Sequence, residues 1–244
     1  MNRNLFIEGM IKLVSGIILM IGLLFIPAGT FDYWNGKLLM VLLFVPMFLV
    51  GCILYKTNPQ LLKRRLSAKE KEGTQKKVIL LSGLMFICAF VVAGFSFRHQ
   101  FLMVSKRVSI FFSILFLLGY GLFGLVLKQN EYLSRTIEVS KNQRLVDTGL
   151  YSIVRHPMYS ATLIMFLSMG LVLGSIGASI ILCLYIPILL KRIENEEKVL
   201  EQGLKGYIEY KKKVKYKLNL YFTFLKFYRL SKSLDIDAVF CISS

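Results

Sequence analysis

The sequence predicts an all-α integral membrane protein with four spanning helices and a short C-terminal helical hairpin. The chain is 55% hydrophobic and has a mean hydropathy of +0.60. A soluble domain of 244 residues is rarely so apolar. The apolar residues fall into five long stretches, and the basic residues concentrate in alternate connecting segments. Together these three observations indicate a multi-pass membrane protein.

The first four apolar stretches each have the length of one membrane-spanning helix, which needs about 20 apolar residues. The first is long, and no convincing small-residue cleavage site follows it, so we do not expect a cleaved signal peptide. The four stretches cover residues 5–29, 38–55, 78–97 and 106–127. They define an N-terminal transmembrane region over residues 1–127.

The fifth apolar stretch, residues 160–190, is too long for one upright helix. Gly174-Ser175-Ile176-Gly177 lies at its centre, and this composition breaks or sharply turns a helix. We therefore expect two short helices of about 22 Å each, which return both flanking segments to one side of the membrane. A single tilted helix with a glycine kink is the alternative.

The net charge of +17 is informative mainly through its placement. Residues 56–77 and 191–217 are rich in Lys and Arg, whereas 30–37 and 98–107 carry few. The positive-inside rule then places 56–77, 128–158 and the C-terminal segment in the cytoplasm, with both termini cytoplasmic. The basic surplus thus indicates topology and affinity for anionic lipid. We expect no nucleic-acid partner, because the sequence contains no soluble basic domain.

The cysteines and histidines show no spacing typical of a metal site or a disulfide framework. Cys52, Cys88 and Cys183 lie within apolar stretches, where cysteine is usually a small buried residue. His99 lies in a predicted outer loop, far from the other polar motifs. We therefore expect no metal.

A polar segment, residues 128–158, connects the fourth span to the hairpin. The Ile137/Val139 alternation indicates an extended piece, and Asp147-Thr148-Gly149 a turn. Pro157 suits the first turn of the next helix. The N-terminus of that helix would present free N–H groups and a partial positive charge, which suit a carboxylate or a nucleotide hydroxyl.

Two groups of charged residues flank the hairpin. Arg155 and His156 precede it, and Arg192, Glu196 and Glu197 follow it. The latter three belong to residues 191–217, which we expect to form one strongly polar helix. Arg192 and Glu196 are four residues apart and share a helix face, from which Glu197 is offset. Taken separately, the first group could be a snorkelling interfacial pair and the second a solvated helix at the membrane surface. Because one hairpin joins them, we expect the two groups to meet.

These residues form one ordered pattern: Gly149-x-Tyr151-x-x-x-Arg155-His156-Pro157-x-Tyr159, an apolar hairpin, Arg192-x-x-x-Glu196-Glu197, and Gly206-Tyr207-x-x-Tyr210. The pattern resembles the isoprenylcysteine carboxyl methyltransferase family, whose wider group includes the membrane phospholipid N-methyltransferases. The likeness covers residues 128–217, which we expect to be the catalytic region, followed by a tail of unknown role at 218–244. Relatives usually close with a Leu-x-Pro-type segment, whereas Lys217-Leu218-Asn219-Leu220 lacks the proline.

The resemblance implies that S-adenosyl-L-methionine is the cofactor and that the segments before and after the hairpin hold it. It implies that Arg192 binds the methyl acceptor, and we expect Arg192 and His156 to be the catalytic residues. The positions that the resemblance implies for cofactor binding are Gln143, Arg144, Leu145, Val146, Tyr151, His156, Pro157, Met158, Tyr159 and Glu196.

Two acceptor chemistries fit these residues. A carboxylate acceptor is already ionised near neutral pH, so it needs no general base, and the planar guanidinium of Arg192 could position it. An amine acceptor must lose a proton, and His156 is then the candidate base. Both remain open at the level of sequence.

The resemblance implies a membrane methyltransferase that acts on the carboxylate of an isoprenylcysteine-like or other lipophilic acceptor at the cytoplasmic face. Residues 58–65 also resemble a loop of bacterial relatives, which favours a bacterial cell membrane. The expected partners are the lipid bilayer and a lipophilic or prenylated acceptor. The alternatives are a lipid amine N-methyltransferase, an NADPH-dependent membrane reductase and a non-catalytic membrane protein.

Overall fold

The computed structural model describes residues 3–67, 73–134, 136–137, 139 and 143–218. These residues form nine α-helices and one 3-10 turn, and this part of the chain contains no β-strand. Five helical segments are long and apolar enough to cross a membrane. The prediction of an all-α integral membrane protein is confirmed.

The N-terminal half contains the four predicted spans. Its helices are α1 (Arg3–Ala28), α2 (Trp34–Thr57), α3 (Pro59–Leu66), α4 (Gly73–His99) and α5 (Lys106–Gln129). Large apolar side chains such as Ile18 and Phe111 are exposed on the outer surface of the bundle. Such a surface is suited to contact with lipid rather than water, which agrees with spanning helices.

Helix α3 was not predicted, since the sequence pattern indicated only a basic loop over residues 56–77. Its N-terminus is capped by Asn58, whose Oδ1 accepts a hydrogen bond from the Leu61 amide at 3.0 Å. Pro59 occupies the first helical position, and an Asn-Pro pair of this kind is a typical helix start. Leu61 is buried while Lys63 is exposed, so α3 is amphipathic and contacts α1 and α2.

The predicted hairpin is present. It consists of α6 (Pro157–Val172), α7 (Ile176–Cys183) and α8 (Tyr185–Gly203), and α6 packs against both α5 and α7. Gly174 in the turn has φ of +77°, a conformation that glycine adopts without steric cost. Ser175 then caps α7, since its Oγ accepts a hydrogen bond from the Ala178 amide at 3.1 Å. The central Gly-Ser pair therefore ends one arm and starts the other, as the sequence indicated.

The turn of the hairpin is bonded to the loops at the far end of the bundle. The Val104 amide donates to the Gly174 carbonyl at 2.9 Å, and the Tyr33 hydroxyl donates to the Leu173 carbonyl at 2.6 Å. The first arm has 16 residues, or about 24 Å at 1.5 Å per residue. The hairpin thus runs from the polar end of the bundle to the loops that join α1 to α2 and α4 to α5.

Two local predictions need correction. The single polar helix expected over 191–217 is divided, because α8 ends at Gly203 and a separate short helix, α9 (Tyr207–Lys213), follows. Ile137 and Val139 lie in irregular backbone, so the expected extended piece does not form a strand. The predicted tail lies outside the described residues from position 219 onward.

Candidate functional site

A cleft opens at the polar end of the bundle, where α6 begins and α8 ends. It encloses about 830 Å³ of empty space, part of which is open to solvent. Asn130, Tyr132 and Tyr207 are among the residues of its wall that the sequence did not single out as site residues. All of the predicted site residues line it: Gln143, Arg144, Leu145, Val146, Tyr151, His156, Pro157, Met158, Tyr159, Arg192 and Glu196. The structure therefore brings them together, and their individual roles stay predictions.

The start of α6 forms one wall of this cleft. Pro157 occupies the first helical position, as predicted, and His156 precedes it. The His156 ring is buried and stacks on Tyr159, with ring centroids 5.6 Å apart. Its Nε2 lies 3.2 Å from Oε1 of Glu197. One ring nitrogen is therefore engaged by a carboxylate behind the cleft wall.

Arg155 and Glu197 form a buried ion pair next to this histidine. The Arg155 Nε donates to Glu197 Oε1 at 2.7 Å, and the two side chains are only 5% and 4% exposed. Lys211 and Lys217 lie 3.4 Å and 3.8 Å from the other carboxylate oxygen. The interfacial snorkelling interpretation is thus wrong for Arg155 and His156, which are both buried.

Arg155 also holds the chain that follows α9. Its Nη1 donates to the Val214 carbonyl at 2.5 Å, and its backbone amide donates to the Tyr216 carbonyl at 3.0 Å. The His156 amide donates to the Lys217 carbonyl at 3.2 Å. The segment 214–217 therefore closes against the start of α6.

On the cleft side, Tyr159 joins the two predicted charged residues of α8. Its hydroxyl donates to Glu196 Oε2 and accepts from Arg192 Nε, the latter at 2.9 Å. Arg192 Nη1 lies 3.4 Å from Oε1 of Gln75, a fully buried residue of α4. The carboxylate and the guanidinium are therefore fixed in relation to each other by a neutral phenol at the cleft wall. They do not belong to a merely solvated helix face.

Three further tyrosines, Tyr151, Tyr207 and Tyr210, line the cleft. The Tyr210 hydroxyl donates to the Tyr151 carbonyl at 2.7 Å, and the Tyr151 hydroxyl accepts from Asn130 Nδ2 at 2.9 Å. The Tyr207 side chain is buried, and its hydroxyl has no hydrogen-bond partner within the described part of the chain. Burial raises the pKa of all three phenols, so they remain protonated and neutral near physiological pH.

The predicted meeting of the two charged groups is confirmed by the contacts of Glu197 with Arg155 and His156, but neither Arg155 nor Glu197 was predicted as a site residue. The signal was present in the Arg-His and Glu-Glu dipeptides, but periodicity could not show which glutamate would face which group. Among the described residues, no cluster of three or more His, Cys, Asp or Glu could hold a metal ion.

A sequence model of the isoprenylcysteine carboxyl methyltransferase (ICMT) family matches residues 109–202. The matched part runs from α5 through the cleft loop and the hairpin to the end of α8, so it contains both charged motifs. This region of the chain is similar to the ICMT family, and the match supports an integral membrane methyltransferase. No curated protein matches the chain. Within the ICMT region, Tyr159, Arg192 and Glu196 stand together at the cleft wall.

Proposed function

We propose that the protein uses S-adenosyl-L-methionine to methylate the carboxylate of a lipophilic, isoprenylcysteine-like acceptor. The main support is the arrangement of Tyr159, Arg192 and Glu196, which places an anion and a cation side by side in one cleft. The cofactor is a cation and the acceptor is an anion, so their charges are opposite to those of Glu196 and Arg192. The cleft thus offers each of them a complementary group.

The chemistry of the lining fits the cofactor. Glu196 provides a carboxylate for its positively charged amino acid and sulfonium portion, and Tyr151 and Tyr159 provide rings for its adenosine. The unpartnered hydroxyl of Tyr207, 3% exposed, indicates a polar ligand, because buried polar groups in proteins are rarely left without a partner. When bound, the cofactor would supply an electrophilic methyl group.

Arg192 would orient the acceptor. Its guanidinium already donates to Tyr159, and a planar fork of this kind matches a carboxylate well. Methyl transfer is an in-line displacement, so the demand on the protein is alignment of the reacting groups. A carboxylate is ionised near neutral pH, so no residue has to remove a proton.

The geometry of His156 favours a carboxylate acceptor over an amine. A general base needs a ring nitrogen able to accept a proton from the substrate. Nε2 of His156 faces Glu197 instead, at 3.2 Å, so only Nδ1 could serve as a base. His156 is therefore better suited to shaping the wall than to removing protons.

The cleft would face the cytoplasm of a bacterial cell, with both termini on that side. Basic residues such as Lys63, Arg64, Lys212 and Lys213 lie at the same end of the bundle as the cleft. The positive-inside rule assigns that end to the cytoplasm.

Calorimetric titration of S-adenosylmethionine and S-adenosylhomocysteine into the detergent-purified protein tests the cofactor assignment. Both ligands should bind the wild type, and Glu196→Ala should weaken S-adenosylmethionine roughly tenfold or more, the usual loss for a charge-assisted contact. Glu194→Ala is the matched control, because Glu194 lies on the same helix but outside the cleft lining. A folded wild type that binds neither ligand would contradict the proposal.

The chemical group that carries the transferred methyl tests the acceptor assignment. Labelled methyl groups on a carboxylate are released as volatile methanol by mild alkaline hydrolysis, whereas those on an amine or a thiol are retained. We expect the label from a lipophilic carboxylic acid to be released, and its retention in the lipid product would favour the N-methyltransferase alternative.

A further inference from the structure

Asn130 follows the last residue of α5 and lines the cleft. Its backbone is held on both sides, because its amide donates to the Val126 carbonyl at 3.0 Å and its carbonyl accepts from the Leu133 amide at 3.3 Å. In its side chain, Oδ1 accepts a hydrogen bond from the Tyr132 amide at 3.0 Å. The backbone and the side-chain oxygen of Asn130 are therefore engaged within the chain.

Only one orientation of the Asn130 side-chain amide satisfies these contacts. An amide has one oxygen that accepts hydrogen bonds and one nitrogen that donates them. Since the oxygen is held by the Tyr132 amide, Nδ2 faces the Tyr151 hydroxyl, which lies 2.9 Å away. A flipped amide would bring Nδ2 against the Tyr132 N–H, so that two donors would face each other. The Tyr151 hydroxyl therefore accepts a hydrogen bond from Asn130 and does not donate one to it.

The position of Tyr151 is fixed as well. Its backbone amide donates to the Thr148 carbonyl at 3.0 Å, and its carbonyl accepts from the Tyr210 hydroxyl at 2.7 Å. Tyr151 also belongs to a buried cluster with Leu122. Burial raises the pKa of its phenol, and the charge of the Glu196 carboxylate raises that pKa further, so the hydroxyl keeps its proton. Tyr151 thus presents a hydroxyl of fixed position with one proton to donate.

This proton has no acceptor among the residues that the structure describes. Asn130 and Tyr151 both line the cleft, and buried polar groups are rarely left without a partner. We propose that Asn130 is a positioning residue that makes the Tyr151 hydroxyl a hydrogen-bond donor to the cofactor in the cleft. This inference rests on the proposed function, because it takes that cofactor to be S-adenosyl-L-methionine.

Two substitutions at Asn130 separate this role from a merely structural one. Asn130→Ala removes the contacts to both tyrosines, so the Tyr151 hydroxyl is free to turn and can still donate to the cofactor. Asn130→Asp keeps an acceptor for the Tyr132 amide but replaces the donor by a carboxylate oxygen, which would draw the Tyr151 proton away from the cofactor. If Asn130 directs that proton, the aspartate is more harmful than the alanine. If Asn130 only holds the backbone, the alanine is more harmful.

Calorimetric titration of S-adenosylhomocysteine into the full-length protein in detergent measures the difference. Asn130→Asp should weaken binding roughly tenfold and Asn130→Ala less than about threefold, since only the former removes the hydrogen bond to the cofactor. In the Tyr151→Phe background, which has no hydroxyl to turn, Asn130→Asp should change the affinity by less than about twofold. Gln202→Glu, which adds the same charge at an exposed position outside the cleft lining, should bind like the wild type.

The outcomes separate this inference from the proposed function. A folded wild type that does not bind S-adenosylhomocysteine would contradict both. Binding by the wild type with a greater loss in Asn130→Ala than in Asn130→Asp would overturn the role of Asn130 alone. A tenfold effect of Asn130→Asp that persists in the Tyr151→Phe background would do the same, because the added charge would then act without the hydroxyl. Should Asn130→Ala fail to fold, the comparison of Asn130→Asp between the two backgrounds decides.

Discussion

Arg155 and Glu197 lie 42 positions apart in the chain and form a 2.7 Å ion pair that is almost entirely buried. The pair joins the residue before α6 to the polar end of α8, so it closes the hairpin at the end opposite its turn. Glu197 also lies 3.2 Å from His156, which lines the cleft. The cleft wall is therefore positioned by a buried ion pair, of which Arg155 lines the cleft and Glu197 does not.

Loss of this ion pair should destabilise the protein strongly. In Glu197→Gln, the Arg155 guanidinium stays buried without its counter-charge, and breaking one partner of a buried pair costs about 3–5 kcal/mol. Glu194→Gln removes an exposed carboxylate of the same helix and should cost less than about 1 kcal/mol. The midpoint of unfolding in mixed detergent micelles measures both. Equal stability of the two variants would show that the buried pair is not what holds the hairpin closed.

Tyr207→Phe should have opposite effects on stability and on ligand affinity. The Tyr207 hydroxyl is buried without a partner, so its removal should leave the free protein unchanged or slightly more stable. If that hydroxyl binds the cofactor, the variant should bind S-adenosylhomocysteine about five- to tenfold more weakly. Melting temperature without ligand and calorimetry with it measure the two effects. Unchanged affinity would remove Tyr207 from the cofactor site.

Much of the fold could be predicted from the sequence because it depends on local composition. Long apolar stretches in a chain of this hydropathy have few structures other than spanning helices available to them. Gly174 and Ser175 mark the hairpin turn by their own conformational and capping preferences. Helix α3 was missed because its basic residues obscured an ordinary start signal, Asn58 followed by Pro59.

The site could be predicted only where a motif marked its residues. Gln75 lies in the predicted basic loop over residues 56–77, and no local pattern indicates that it reaches Arg192 from another helix. The spacing along α8 predicted that its two glutamates point in different directions. It could not predict which residue each of them contacts. Glu196 meets Tyr159, and Glu197 meets Arg155, because of the way that α6 and α8 pack. Such pairings depend on tertiary geometry, which one sequence does not contain.

Stability should fall as the pH rises above about 10, partly through Tyr210. Burial raises the pKa of the Tyr210 phenol, so the folded protein holds this proton more tightly than the unfolded chain, whose tyrosines titrate near pH 10. The corresponding stability is fully present below that pH and is lost above it. The Tyr210 hydroxyl also donates to the Tyr151 carbonyl, a bond that the phenolate cannot make.

Comparison with Tyr210→Phe separates this effect from other alkaline titrations. The variant should be less stable than the wild type at pH 8 by about 1 kcal/mol, the usual contribution of one hydrogen bond. Between pH 9 and 11 the variant should also lose less free energy of unfolding than the wild type, because it lacks the titration of the Tyr210 phenol. Parallel melting curves for the two proteins over this range would exclude Tyr210 as a source of the pH dependence.

The close contact between the two arms of the hairpin should tolerate no side chain at Gly170. A Cβ at this position of α6 would lie 2.6 Å from the backbone nitrogen and Cα of Ser179 in α7, and backbone atoms cannot move aside as a flexible side chain can. Gly170→Ala should therefore separate the arms and destabilise the protein by about 1–3 kcal/mol, the range found for overpacked interiors. Gly124→Ala in α5 is the matched control, since an added Cβ there meets nothing within 4 Å and alanine favours a helix. If the hairpin packs as described, Gly170→Ala lowers the melting temperature and Gly124→Ala does not, and identical melting of the two variants would show that the arms lie further apart.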